Sequence, residues 1–275
     1  MRTVITFIFL LMSLPIDGFA QPKTLTFGIV PQQSAKRLAT LWTPILQQIS
    51  KQTELNIVFS TAKDIPTFEQ RLANGDYDIA YMNPYHYVVF NKSAGYTAIA
   101  KQKDKTIQGV IVAKNNSHID SIQDLEGMRL AFPAPAAFAA SILPRAELTK
   151  NGIAFTPFYV SSHDSVYLNV SRGFFPAGGG IQRTLNNMQD KVKSELSIIW
   201  QTAEYTPHAF AAHPGVDQNT RDKIVAALIS LSTNEHGQAL LKSINFNAIE
   251  AAVNDDWDDI RALEIGTLLG PDKRK

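Results

Sequence analysis

The chain has 275 residues, with 26 Lys+Arg against 25 Asp+Glu and no cysteine. That charge balance excludes a strongly basic nucleic-acid or membrane-surface binder, and the missing thiols exclude disulfides, thiolate metal ligands and a lipidated cysteine. The length suffices for one large domain or two lobes held by their core alone.

Residues 1–20 differ from the rest. Met1-Arg2 is a short basic start, Val4 to Leu14 an apolar run, and Gly18-Phe19-Ala20 puts small residues just before Gln21. This is the pattern of a secretory signal peptide cut after Ala20. The run is short for a bilayer span and is followed by Pro15 and Gly18, which argues against a retained anchor and against membrane insertion after cleavage. Cleavage removes Arg2 and Asp17, so the net charge stays at +1. The expected form is a soluble protein in a Gram-negative periplasm.

Leu25 to Val30 alternates as a short strand does and stops at Pro31. Ser34 is placed to cap a helix whose apolar face is Leu38, Leu41, Trp42, Ile45, Leu46 and Ile49, with Pro44 expected to kink it or restart it at Thr43. A strand over Leu55–Ser60, a helix over Thr67–Ala73 and a strand over Tyr77–Ala80 follow. The order βαβαβ predicts a largely parallel α/β sheet. Ligands in such sheets collect beyond the carboxyl ends of strands, so Tyr81, Asn83 and Tyr85 are candidate ligand-binding residues. Asn83 and Pro84 equally suit an ordinary helix start.

Strands are predicted over Tyr96–Ala100, Ile107–Lys114 and Met128–Phe132, with a helical turn over Ile122–Leu125. Pro133 to Ser141 then leads, through prolines and alanines, into a helix ending at Asn151-Gly152. Small residues at a helix head let a ligand approach bare N–H groups, which makes Ala137, Phe138, Ala139 and Ser141 candidates. Alanines also simply favour helix.

A strand over Ala154–Val160 breaks into Ser161-Ser162-His163 and a helix from Asp164 to Ser171. A polar turn opening a helix suits an anion, which singles out Ser162 and His163. The plainer alternative is that Ser162 or Asp164 caps the helix and His163 is incidental. Gly178 to Gly180 is expected as a flexible turn or an anion-binding nest, since the spacing fits neither a Walker A loop nor a dinucleotide fingerprint. Arg183, in the helix that follows, can face the same cleft. Strands over Leu196–Trp200 and Ala209–Ala212 and helices over Val216–Leu231, His236–Ile244 and Asp255–Leu263 complete the chain.

Four stretches agree in order and spacing: Gly28-Ile29-Val30-Pro31, Gly75-Asp76-Tyr77-Asp78-Ile79-Ala80-Tyr81, the helix near Ala137, and Ser162-His163. With the export signal they resemble the phosphate/phosphite/phosphonate-binding proteins of ABC transporters, over about Leu25 to Leu263. The resemblance implies a type II periplasmic-binding-protein fold: two α/β lobes joined by a two-strand hinge, with a ligand cleft between them. Lobe one is expected as 22–103 plus 207–275 and lobe two as 104–206, with hinges near Lys101–Thr106 and Ala203–Thr206. It further implies that an aromatic after the third strand (Tyr81), a hydroxyl-bearing helix head and a His in a Ser-His turn (His163) hold the oxyanion.

The chain departs from that pattern at Ala137-Phe138-Ala139, where Ser/Thr side chains are missing and Ser141 is the nearest hydroxyl. It departs again at His208 and at Phe175-Pro176-Ala177, where relatives carry acidic residues. His208 therefore joins the candidates, aminoalkyl phosphonates are disfavoured, and a fully oxidised or uncharged-tailed anion is expected. The expected function is capture of a small oxyanion and delivery to an ABC permease and its ATPase. The alternative is a sensor subunit signalling to a histidine kinase. A hydrolase is disfavoured, because contiguous Ser161, Ser162, His163 and Asp164 cannot orient one another as a triad. No cofactor or metal is expected, since His208 and His213 would point to opposite faces of a strand. An unperturbed His163 would strengthen anion binding below about pH 6.5.

Overall fold

The computed structural model describes residues 24–265; the export-signal reading over residues 1–20 lies outside them. From the N-terminus come β1 (Thr24–Ile29), α1 (Ala35–Thr53), β2 (Asn56–Ser60), α2 (Ile65–Asn74), β3 (Ile79–Met82), α3 (Pro84–Ala94) and β4 (Thr97–Gln102). Next are β5 (Gly109–Lys114), β6 (Met128–Phe132), α4 (Leu143–Lys150), β7 (Phe155–Tyr159), α5 (His163–Ser171), β8 (Ala177–Ile181), α6 (Gln182–Asn186), α7 (Asp190–Lys193) and β9 (Leu196–Gln201). The chain continues through β10 (Ala209–Ala212), α8 (Gln218–Ser230), α9 (Glu235–Ser243), β11 (Ile249–Ala251) and α10 (Asp258–Arg261).

These strands form two sheets. The first has the order β11-β4-β10-β3-β1-β2, the second β7-β6-β8-β5-β9. In the first, β1 lies parallel to β2 and β3, so the turns that leave β1 and β3 sit side by side. In the second, β6 lies parallel to β7 and β8, which places the turns leaving β6 and β7 together. Each sheet thus presents its parallel carboxyl ends as a polar rim. The chain crosses between the sheets twice, and the two crossings are tied by reciprocal backbone bonds between Ile107 and Tyr205 (2.8 and 3.2 Å). This is the two-lobed α/β architecture expected from the sequence.

Local chemistry explains most of the elements. The Ser34 Oγ accepts from the Arg37 N–H at the head of α1, and Leu38, Trp42, Ile45, Leu46 and Ile49 are buried on one face. Pro44 does not restart this helix at Thr43: α1 runs through it. Pro44 faces solvent, where the carbonyl deprived of its helical partner can be hydrated. β3 begins at Ile79 rather than Tyr77, because the Tyr77 ring turns into the core against Phe68, 5.1 Å between centroids. β5 is buried on both faces: Ile111 and Ala113 pack with Leu130, Phe132 and Leu148, while Val110 and Val112 pack with Val166, Tyr167 and Val170. Pro157 is tolerated in β7 because that strand is at the sheet edge.

The glycine run is the main correction. Gly178 to Gly180 is neither a flexible turn nor a nest; it lies within β8, the buried central strand of the second sheet. A Cβ on Gly179 would come within 2.0 Å of the Ala140 carbonyl oxygen, and one on Gly109 in β5 within 1.9 Å of that of Ala139. The glycines let a helix head lie directly on the sheet. No helix among the described residues is long and apolar enough to cross a membrane.

Candidate functional site

That helix head comes first. Residues Phe138–Ile142 form a wide π-helical turn that runs into α4. The Ala137 carbonyl accepts from both Ser141 N–H (2.7 Å) and Ile142 N–H (3.1 Å). The N–H groups of Phe138, Ala139 and Ala140 precede these bonds and have no acceptor inside the helix. They point where the macrodipole favours negative charge.

His163 faces this head from α5. Ser162 caps that helix: its Oγ accepts from the Ser165 N–H (3.1 Å). The His163 N–H donates to the Gln32 carbonyl, 3.0 Å away, so a turn of the second sheet is bonded directly to a turn of the first. The ring is buried, with Nδ1 3.1 Å from the Thr184 hydroxyl. Thr184 is itself fixed by the Ile181 carbonyl and the Tyr167 hydroxyl, 3.1 and 3.0 Å away. This leaves Nε2 as the ring nitrogen available to a ligand. Burial, with the Arg183 charge adding to it, pushes the His163 pKa down to about 3. The expectation of an unperturbed imidazole that takes up a proton below about pH 6.5 is therefore corrected: without a counter-charge, His163 stays neutral well below that pH.

The opposite wall is a side-chain network around Gln32. Arg183 Nη2 donates to Gln32 Oε1 (2.7 Å) and Arg183 Nη1 to the Tyr81 hydroxyl (3.0 Å). With its oxygen so engaged, the Gln32 amide nitrogen faces His208 Nε2 at 2.7 Å and donates to it. His208 is thereby the neutral tautomer with its proton on Nδ1, and burial, then the charge of Arg183, holds its pKa well below the usual value. Its ring stacks on Tyr81, 5.0 Å between centroids. Burial raises the Tyr81 pKa, and Arg183 opposes that shift.

Between these walls lies an inner cavity of about 10 Å³, lined among others by Gln32, Asn83, Ala137, Phe138, Ala139, Ala140, His163 and His208. Among the described residues, no carboxylate lines it. An outer cavity of about 160 Å³ adjoins it through Ile107, Ile181 and His208, and is bordered by Tyr81 and Arg183. The structure thus brings Tyr81, Asn83, Ala137, Phe138, Ala139, His163, Arg183 and His208 to one cleft. Asn83 Nδ2 reaches across to the Ala136 carbonyl (3.3 Å) while Asn83 Oδ1 caps α3. Three other candidates line neither cavity. Ser162 is spent as a cap, Tyr85 packs half-buried on the first sheet's core, and Ser141 is fully buried with an unpartnered hydroxyl.

Gln32 is the residue that sequence reasoning missed. A glutamine in a turn carries no local pattern; only the three partners that converge on it reveal its role. Ser161 carries a further feature that the sequence does not show. Its φ of 73° puts a non-glycine residue in left-handed backbone immediately before the site.

The family model for the periplasmic substrate-binding protein of phosphonate ABC transporters matches residues 27–257. The chain belongs to this family. Among curated members of the phosphonate-binding family, it is 23% identical over 230 residues to the phosphate-import protein PhnD of Mycolicibacterium smegmatis, covering 76% of this chain and 71% of the relative. It is 22% identical to a probable phosphite-binding PhnD1 of Prochlorococcus marinus, covering 82% of each. Among solved structures, that organism's PhnD1 in complex with methylphosphonate superposes with a TM-score of 0.82 at 20% identity, covering 90% of this chain and 99% of the other. A binding component of a phosphonate transporter from Pseudomonas aeruginosa also gives a TM-score of 0.82, at 18% identity, covering 89% and 86%. The fold is that of a type II periplasmic binding protein, and the family's role is substrate capture for ABC import.

Proposed function

We propose that the protein holds a small phosphorus oxyanion of the phosphate, phosphite or phosphonate type between the helix head and the two histidines, where the inner cavity, now sized for about one water, widens to admit it, and hands it to an ABC permease with its ATPase. The observation that carries this reading is the convergence of a helix head and two histidines on a cavity without a carboxylate. Main-chain N–H groups and imidazole replace the anion's hydration shell, and charge-assisted hydrogen bonds are the strong ones. The names of the relatives point the same way: one imports phosphate, and another was solved with methylphosphonate.

The lobes are taken as 22–103 plus 207–275 and 104–206, closing about the paired crossings at Ile107 and Tyr205. Residues 1–20 act as the export signal, and the mature chain works in the periplasm. The protein performs no chemistry on its cargo. In support, the Ser162 hydroxyl is engaged with Ser165 and the His163 Nδ1 with Thr184, so these two neighbours do not form a serine–imidazole pair.

Thermal unfolding of the mature chain, screened with phosphate, phosphite, methylphosphonate, sulfate and small carboxylates, tests this. At least one phosphorus oxyanion should raise Tm progressively, by about 2.7 kcal/mol of added stability at a hundred times its Kd. A response to carboxylates alone would overturn the reading.

A further inference from the structure

The inner cavity does not account for Arg183. Its guanidinium carries five N–H donors, and its two bonds go to neutral groups, Tyr81 and Gln32. Among the described residues it makes no ion pair. It is half-buried beside the Tyr81 and Phe246 rings, 5.8 and 5.6 Å from their centroids. A cation taken partly out of water without a counter-charge is costly to keep. Arg183 borders the outer cavity and not the inner one.

The outer cavity has its own chemistry. Besides Arg183 it is bordered by Lys105, by the side-chain amides of Gln102, Gln108 and Asn245, and by one carboxylate, Glu204. Lys105 and Glu204 are both exposed on the crossings between the sheets, so solvent screens them. The partly buried charge is positive. At about 160 Å³ the outer space has room for a substituent extending beyond the head group.

We infer that the cleft has two anion subsites in series, and that its preferred ligand is a phosphonate whose tail carries a second negative group, of the carboxyalkyl phosphonate class. The phosphorus head sits at the helix head with His163 and His208. The tail passes the wall formed by Ile107 and Ile181, and its carboxylate pairs with Arg183, for which a planar fork-to-fork geometry is available. The side-chain amide N–H groups donate to whatever oxygens remain. An ammonium in the same place meets Arg183 and is repelled. This rests on the proposed function, because it takes the inner cavity as the phosphorus site.

Calorimetric titration of the mature protein with methylphosphonate, phosphonoacetate and 2-aminoethylphosphonate separates the two readings. Phosphonoacetate should bind about tenfold tighter than methylphosphonate or better, and 2-aminoethylphosphonate weaker than either. In Arg183→Met the Kd ratio of methylphosphonate to phosphonoacetate should fall close to one, whatever happens to absolute affinity; Arg183→Lys should keep part of it. Methylphosphonate binding without any gain for phosphonoacetate, or a gain that persists in Arg183→Met, overturns the second subsite and leaves the proposed function standing. Binding of none of the three, together with no response to phosphate or phosphite, overturns both.

Discussion

The two walls of the cleft are built from different materials. On the second sheet, the helix head at Ala137–Ala140 offers main-chain N–H groups and almost no side-chain function. On the first, Gln32, Tyr81 and His208 offer side chains, knitted to Arg183 and to one another by bonds of 2.7 to 3.0 Å. A main-chain wall tolerates changes in its own side chains but depends on whatever lets the backbone approach. A side-chain wall has the opposite sensitivity. This is why a run of alanines can form the second wall.

The contrast is broken most severely at Gly179, which lines neither cavity. Gly179→Ala puts a Cβ where the Ala140 carbonyl oxygen now sits, 2.0 Å away. The expected cost is about 3 kcal/mol in urea unfolding, with loss of anion binding, because the helix head must lift off the sheet. An unchanged midpoint would show that the head is not held by this contact.

How much of this was legible beforehand follows from where the information lies. The caps at Ser34, Asn83 and Ser162 are read from neighbours in sequence, because capping is chemistry within one turn. The alternating and helical patterns of β1 and α1 gave the layers for the same reason. The glycines of β8 were misread because what they make room for lies elsewhere in the chain, Val166 for Gly178, Ala140 for Gly179 and Tyr167 for Gly180, and a glycine has no side chain to show a pattern. β11 is only three residues long and went unseen. Within the site, His163 and the Ala137 helix head stood out by type and position, whereas Gln32 is defined only by partners up to 176 residues distant.

A second test concerns the histidines. Folded His163 titrates at about 3, against an ordinary value near 6.5 in the unfolded chain. As pH falls through that interval, the unfolded state takes up protons first. The contribution of His163 to stability is complete above about pH 6.5 and is lost on the way down to about 3. Urea unfolding at pH 7 and 4.5 should show wild type losing about 2–3 kcal/mol more than His163→Gln. Equal losses in the two proteins would mean that the ring is not desolvated in solution. Saturating anion should reduce the wild-type loss, since a nearby negative charge favours the imidazolium.

The smallest effect is the most discriminating between the two kinds of wall. Ser141 is the hydroxyl within the helix head, yet its Oγ is buried and bonded to nothing. Ser141→Ala should change stability by less than about 0.5 kcal/mol or raise it slightly, and should leave anion affinity unaltered. A tenfold loss of affinity would place a side chain on a surface described here as made of backbone.

One bond has a longer reach. The clasp from the His163 amide hydrogen to the Gln32 carbonyl joins the two halves of the molecule without using either side chain. Replacement of the imidazole or of the carboxamide leaves it in place; only proline at 163 deletes the donor. A lineage that exchanged one cargo for another could rewrite every reactive group around the guest and still inherit the same fastening.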